Sequence, residues 1–370
     1  MDTATFRSNL RAWLDDSGLT PSSDDSLGGQ VAQLKLVRRA LYDAGWTRYG
    51  WPAEVGGLGG PPALRAVLSE EIANRDLAEP GVYSMVEVLA PTMISYARPE
   101  LAAEMVPLLL SGREQWCQGF SEPGSGSDLA SLTTRATQRG DGWVVNGQKV
   151  WTSQAQFSAR CVLLTRTGAS HCPNHESLTA FFVDMDTPGI TVRPLRTMHG
   201  VDEFAEVYFD DVVVPGDRML GRPGDGWQLA MDLLPFERST CFWHRIAYLY
   251  TRFDRLLAQT SATDAAADVA DLGAAYLALH TVRCRSQATQ HRLADGAVLG
   301  AETSIDKVLL ATAEQRLYDT ARDLLPGVIE LDDTPWRSEF LYSRAATIYG
   351  GTAEIQRNII ARRLLHLGKE

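Results

Sequence analysis

Two stretches of the chain carry residue types that chemistry can use. The first, DLLPFERST, sets a carboxylate, Glu237, directly before a guanidinium, Arg238. On spacing alone this reads as a surface carboxylate with a solvated neighbour, because Glu-Arg pairs are common on helices. Cys241 and His244 follow at four and seven residues, which puts them on the same face if the helix continues, as core packing or as pocket lining. The second stretch, WCQGFSEPGSGSDLASLTTRAT (residues 116 to 137), places two glycines and three serines after Glu122-Pro123. Backbone amides and hydroxyls in such a loop can approach a polar planar ligand or a phosphate, although an isolated Gly/Ser loop is also simply a loop. His171, Cys172 and His175, in HCPNH, are the tightest His/Cys cluster, but their spacing fits no zinc pattern, so no metal is expected.

These residues sit in three textures. Residues 1–115 show helical periodicity, as in GGQVAQLKLVRRALYDAGW and RPELAAEMVPLLLSGRE. Residues 116–222 change to short β-branched runs between turns, such as GWVVNGQKVWTS, ARCVLLTRT, LTAFFVDM and FAEVYFDDVVVP, which reads as an antiparallel barrel or sandwich. Residues 223–370 return to long amphipathic segments, including one unbroken segment from WQLAMDLL to RFDRLLAQ, and suggest a four-helix bundle. The Ala/Asp-rich SATDAAADVAD joins two of those helices. The expected class is α+β, with an N-terminal helical domain, a middle β-barrel and a C-terminal bundle.

Composition narrows the partners. At 370 residues, with 45% apolar and 22% charged, the chain suits two or three regions packed as one soluble unit. A net charge of −11 opposes a basic surface for nucleic acid. No apolar run approaches the ~20 residues that span a bilayer, so no membrane is expected. The N-terminal MDTATFRSNLRAWLDD has no basic region followed by an apolar stretch. A cytoplasmic location is expected from it. Five unpaired-looking cysteines suit free thiols.

The order α, β, α, with GWPAEVGG, FSEPGSGSD, NGQKVWTS and YGGTAEIQRNIIARRLL in sequence, resembles the acyl-CoA dehydrogenase family over nearly the whole chain. The resemblance implies FAD as cofactor. It implies flavin contacts from Phe120 and Ser121 at the pyrimidine, Trp151 against the isoalloxazine, Ser153 near its reactive nitrogen, where Thr is usual, and further contacts from Thr352 and Glu354. Ser127 would meet the pantetheine or pyrophosphate side of an acyl-CoA, with Arg238 as a second substrate contact.

Dehydrogenation between Cα and Cβ of a thioester needs a carboxylate within reach of the α-proton. Many members carry that Glu just before the Gly-Thr of the last motif, where this chain has Gly350, Gly351 and Thr352. Other branches, isovaleryl-type and long-chain-type, carry it on the first bundle helix before an Arg, which matches Glu237-Arg238. The resemblance therefore implies Glu237 as the base, with the Gly350 N–H sharing the developing enolate charge.

Two family loops that reach a neighbouring subunit's flavin are missing: the regions read TRFDRLLAQTSATDAAADVAD and ARDLLPGVIELDDTPW. This is similar to a bacterial α2β2 branch acting on CoA thioesters with bulky tails, in which two homologous chains share each flavin site. The implied partners are such a homologous subunit, or further copies of this chain in a homo-oligomer, and an electron-transfer flavoprotein. Two other readings remain open: a flavin oxidase or monooxygenase of the same fold, and a non-catalytic subunit of a heteromeric enzyme.

Overall fold

In the computed structural model, which describes residues 1–83, 85–168, 173–262, 269–331 and 334–368, the chain begins with helices and returns to them after one sheet. The Asp2 carboxylate accepts from the N–H groups of Ala4 and Thr5 and so starts α1 (Thr3–Asp16). Its buried face is Phe6, Leu10 and Leu14, spaced by four. Ser26 caps α2 (Leu27–Asp43) in the same way. These helices pack with α3 (Ala63–Ala73) around a core that includes Leu34, Leu64 and Ile72. A short α4 (Pro80–Tyr83), then α5 (Val86–Tyr96) and α6 (Pro99–Leu110), complete the first region.

Eight strands follow: β1 (Trp116–Gly119), β2 (Arg135–Arg139), β3 (Gly142–Ser153), β4 (Arg160–Arg166), β5 (Leu178–Asp184), β6 (Ile190–Leu195), β7 (Phe204–Val214) and β8 (Met219–Leu220). They form one sheet in the order β6-β7-β3-β2-β4-β5-β8, with β1 joined to β4. The pairing is mainly antiparallel, as expected, but β1 runs parallel to β4 from Trp116↔Arg160 to Gly119↔Leu163, and β2 meets β4 in parallel at Arg135↔Arg166. The parallel β1 delivers the chain straight from the end of α6 into the sheet.

The last region holds α7 (Gly226–Glu237), α8 (Phe242–Ala262), α9 (Val269–Ala294), α10 (Thr303–Leu324), α11 (Pro335–Ser343) and α12 (Ala353–Ile359), the last continuing as a π-helical turn over Ile360–Leu364. Residues 263–268 of the Ala/Asp-rich connection lie outside the described residues. One apolar core runs through all three regions, from Val88 and Met93 of α5, through Trp116 and Phe182 of the sheet, to Leu233, Leu249 and Leu317 of the bundle. Fully burying each such side chain contributes roughly 1.5–3 kcal/mol. The interfaces that position the site are therefore part of the core itself. Among the described residues no helix is long and apolar enough to cross a membrane.

Candidate active site

The single helix expected from WQLAMDLL onward is in fact two. α7 ends at Glu237 and α8 starts at Phe242. The break follows from the residues at the turn. The hydroxyls of Ser239 and Thr240 donate to the carbonyls of Pro235 and Phe236 at 2.8 and 3.2 Å, and the Cys241 thiol donates to the carbonyl of Glu237. Side chains thus take the carbonyls a continuing helix would have used. Cys241 and His244 consequently share no helical face with Glu237, which corrects the spacing argument. His244 instead stacks on Tyr83 with ring centroids 4.3 Å apart.

Ending at Glu237, α7 presents the carboxylate to the loop that carries Gly350. Gly350 has φ +63°, in the left-handed region, and a Cβ built on it would lie 3.3 Å from Glu237 Oε1 and 3.7 Å from Lys307 Cε. Arg238 Nε and Gln356 Nε2 each donate to the Gly350 carbonyl at 3.0 Å, which fixes that peptide. On the other side Gln118 Nε2 approaches Glu237 Oε2 at 3.4 Å. Burial pushes the Glu237 pKa up, against the nearby Arg238, the Gln118 contact and Lys307. Lys307 is fully buried and donates to the Ala346 carbonyl. Burial brings its ammonium down to about 8, although Glu314 and Glu237 both favour its charge. A partly buried carboxylate whose pKa is raised suits proton abstraction.

Two residues beyond Gln118 the chain reaches the second cluster. Lys149 of β3 is completely buried, and its ammonium donates to the Phe120 carbonyl at 3.0 Å and to Glu122 Oε1 at 2.8 Å. Glu122 also accepts from the N–H groups of Thr133 and Thr134. Burial works against its charge, but Lys149 and these donors hold its pKa down at about 2. The Val150 N–H donates to the Ser121 carbonyl at 2.9 Å. The start of the Gly/Ser loop is thereby locked to the strand that carries Trp151 and Ser153. Ser127 is exposed farther along that loop.

Trp151 has φ +61°, in the left-handed region that costs a non-glycine residue roughly 1–2 kcal/mol. It sits where the β3–β7 register slips between Lys149 and Thr152, and its side chain is 60% exposed. A strained, outward-facing indole beside the Phe120–Ser121 backbone forms an open platform. Nearby, the buried Thr152 hydroxyl and Gln118 Oε1 have no partner. A flat, polar, multi-acceptor ring such as an isoalloxazine fits this surface. Thr352 caps α12, its hydroxyl oxygen accepting from the Ile355 N–H at 3.3 Å and its own proton remaining available to donate. Glu354 is 78% exposed and only approaches Arg357 at 4.0 Å.

Three family models cover the chain: the N-terminal domain of acyl-CoA dehydrogenase over residues 2–113, the middle domain over 117–212 and the C-terminal domain over 224–365. The chain belongs to the acyl-CoA dehydrogenase family. It is 37% identical to acyl-CoA dehydrogenase IpdE1 of Mycobacterium tuberculosis, over all of this chain and 99% of that protein. It is also 35% identical to acyl-CoA dehydrogenase FadE34 of the same organism, over 95% of this chain and 49% of that one. Among solved structures the Tcur3481-Tcur3483 steroid ACAD matches with a TM-score of 0.87 at 26% identity, over all of this chain and 99% of that one. This acyl-CoA dehydrogenase is therefore an oxidoreductase with FAD as its cofactor.

The structure brings Glu237, Arg238 and Gly350 into one cluster and Phe120, Ser121 and Trp151 into another, with Gln118 linking the two. Sequence reasoning missed Gln118, Lys149 and Lys307. Lys307 had a readable signal: on α10 the buried positions Thr303, Lys307, Leu310, Glu314 and Leu317 form one stripe, and two charges in a core stripe mark a polar site. Among the described residues no group of His, Cys, Asp and Glu is placed to hold a metal, and His171 and Cys172 lie outside them.

Proposed function

We propose that this acyl-CoA dehydrogenase uses Glu237 as the base that removes the α-proton of an acyl-CoA thioester, giving the 2,3-enoyl thioester. The observation that carries this reading is the 3.3 Å between Glu237 Oε1 and the Cβ position of Gly350. The carboxylate stands where a side chain at 350 would project, and the glycine leaves it that space. The Cα–H bond breaks with its proton passing to Glu237, and a Cα–Cβ double bond forms as a hydride leaves Cβ. Bound FAD supplies the hydride acceptor. The Gly350 N–H is the donor for the thioester oxygen as negative charge develops there. Arg238 and Gln356 keep that amide aimed through its neighbouring carbonyl, and Gln118 restrains the carboxylate. Phe120, Ser121, Trp151, Ser153, Thr352 and Glu354 are assigned to the flavin side, Ser127 to the CoA moiety and Arg238 to the substrate end of the cleft.

Replacing Glu237 by Gln keeps the shape of the site and removes the base. Flavin content is expected to stay at the wild-type level, while anaerobic flavin reduction by an acyl-CoA slows by ~10²–10⁴-fold. Reduction at near the wild-type rate rules the assignment out.

We further propose that a homologous partner chain completes the flavin site and that an electron-transfer flavoprotein reoxidises it. The support is the altered sequence where the family's cross-subunit loops stand, and the likeness to the two-chain Tcur3481-Tcur3483 steroid ACAD. Flavin stoichiometry of this chain purified alone and with a co-expressed homologue tests the sharing: one flavin per chain in a homo-oligomer refutes it.

A further inference from the structure

The helix α10 carries a lysine into the core beside the proposed base. Lys307 is 1% exposed; its ammonium donates to the Ala346 carbonyl, just before the last motif, and lies 5.1 Å from the centre of the Tyr349 ring. The other fully buried lysine, Lys149, has a carboxylate of its own, Glu122 at 2.8 Å. Lys307 forms no ion pair among the described residues. An ammonium taken out of water needs a compensating charge, and three acids face this one, together with the like charge of Arg238. Glu314, farther along α10, is already held by Arg245 at 2.7 Å. Glu354 of α12 stands exposed, approached only by Arg357. Glu237, at the end of α7, has no ion pair among the described residues, and its contact at Oε2 is the neutral amide of Gln118.

Gly350 lies between Lys307 and Glu237. A Cβ placed there would touch both, 3.3 Å from Glu237 Oε1 and 3.7 Å from Lys307 Cε, so those two atoms are no farther apart than about 7 Å. The other groups that face Glu237 are Arg238, whose charge has the larger influence, the Gln118 amide and the Cys241 thiol. Arg238 directs its Nε to the Gly350 carbonyl at 3.0 Å rather than to the acid. A direct ion pair would cover a carboxylate oxygen with donors. A positive charge set one side chain's width away favours the ionised form and leaves Oε1 open to a proton.

We propose that Lys307 is a positioning residue of the reaction: its ammonium, set across Gly350 from Glu237, keeps that carboxylate ionised and ready to take the α-proton. The inference rests on the proposed assignment of Glu237 as base, and adds the group that governs its charge. At about 7 Å and an effective dielectric of ~20, one positive charge lowers the midpoint of a carboxylate by roughly 1–2 pH units. Removing it raises the Glu237 midpoint by that amount, so the acid limb of kcat/KM moves to higher pH.

The test uses the FAD-loaded enzyme, with its partner chain if one is required, and reads Glu237 in two ways. The infrared band of the protonated carboxyl that Glu237→Gln abolishes is titrated with pH in the wild type, in Lys307→Gln, which keeps a donor for the Ala346 carbonyl without the charge, and in Lys307→Arg, which keeps the charge. The midpoint is expected roughly 1–2 pH units higher in Lys307→Gln and near the wild-type value in Lys307→Arg. The second reading is anaerobic flavin reduction by the member of an alkyl acyl-CoA series that reduces the wild-type flavin fastest. Below the limb kcat/KM of Lys307→Gln falls roughly 10- to 100-fold, and well above it the two enzymes converge. An unmoved midpoint in Lys307→Gln overturns the proposal, as does a loss of rate that is the same at every pH, the mark of a purely structural role. Should Lys307→Gln not fold, Lys307→Met removes the same charge from an apolar side chain of similar length, and the same shift is expected. If Glu237→Gln reduces the flavin at near the wild-type rate, the base assignment fails and the role of Lys307 in the reaction with it, while the infrared midpoint still shows whether Lys307 governs the charge of Glu237.

Discussion

A methyl group at position 350 probes the geometry of the site more finely than removing the base. In Gly350→Ala the residue must hold φ +63°, which costs an L-residue roughly 1–2 kcal/mol, so the melting temperature falls. The peptide cannot rotate away freely, because Arg238 Nε and Gln356 Nε2 both hold the 350 carbonyl at 3.0 Å. The new Cβ then meets Glu237 Oε1 at 3.3 Å, tighter than ordinary contact, and the carboxylate has to retreat by a few tenths of an ångström. A 1 Å misplacement of a reacting group costs about 10²-fold, so a shift of this size lowers kcat by roughly 3- to 10-fold. The methyl also excludes water from one side of an acid whose pKa burial already raises. The acid limb of the kcat/KM profile therefore moves to higher pH. The assay is flavin reduction by an acyl-CoA across pH, beside a thermal melt. Gly351→Ala is the comparison: φ is +90° and its Cβ falls 2.4 Å from Gln356 Nε2, so it loses stability and loosens one donor on the Gly350 carbonyl without crowding the acid, and its acid limb stays in place. A Gly350→Ala enzyme with wild-type kcat and an unmoved acid limb refutes the placement of Glu237 as base.

Other consequences follow from the flavin platform and the buried acids. Lys149→Met strands Glu122 as an unpaired buried charge at a cost of about 3–5 kcal/mol, read as a lower urea midpoint together with loss of retained flavin. Trp151→Gly removes a left-handed indole that is 60% exposed. The flavin-free protein is expected to melt no lower, since ~1–2 kcal/mol of backbone strain is relieved, while flavin retention drops; equal losses in both count against a platform role. Burial raises both Glu79 and Glu203 to about 7, with Glu339 adding to the rise in each. Both keep a proton in the folded state that the unfolded chain gives up near its ordinary carboxylate value, so their stabilisation is complete below that value and is lost as pH climbs to about 7. Urea midpoints should fall between pH ~4.5 and ~7, by up to ~3 kcal/mol per acid at 1.36 kcal/mol per pKa unit, and Glu203→Gln should flatten the slope.

The sequence disclosed the layers of this fold because their periods differ: residues spaced by four in α1, and the near-continuous Val, Leu and Phe of β4 and β5, which are buried on both faces. It also singled out Glu237 as the candidate base, through a motif. It did not disclose the break after Glu237, because Ser239, Thr240 and Cys241 are unremarkable in a helical pattern until their side chains are seen to donate to the carbonyls four residues back. Lys149 stayed hidden for a similar reason. A lysine in an alternating strand reads as solvent-facing, and only the third dimension brings Glu122 and the Phe120 carbonyl to it.

The relation between positions 237 and 350 explains why the last motif carries no acid. The ideal Cβ of residue 350 and the Glu237 carboxylate contend for one volume, with Lys307 Cε closing another side of it at 3.7 Å. Two carboxylates there would repel in a poorly solvated cleft, and one would take up a proton and cease to be a base. An acid at 237 therefore requires a residue at 350 that offers no side chain, and glycine alone also accepts φ +63° without strain. Under the proposed mechanism Gly350 is the counterpart of Glu237: its amide remains for the thioester oxygen, and its missing side chain leaves space for the proposed base.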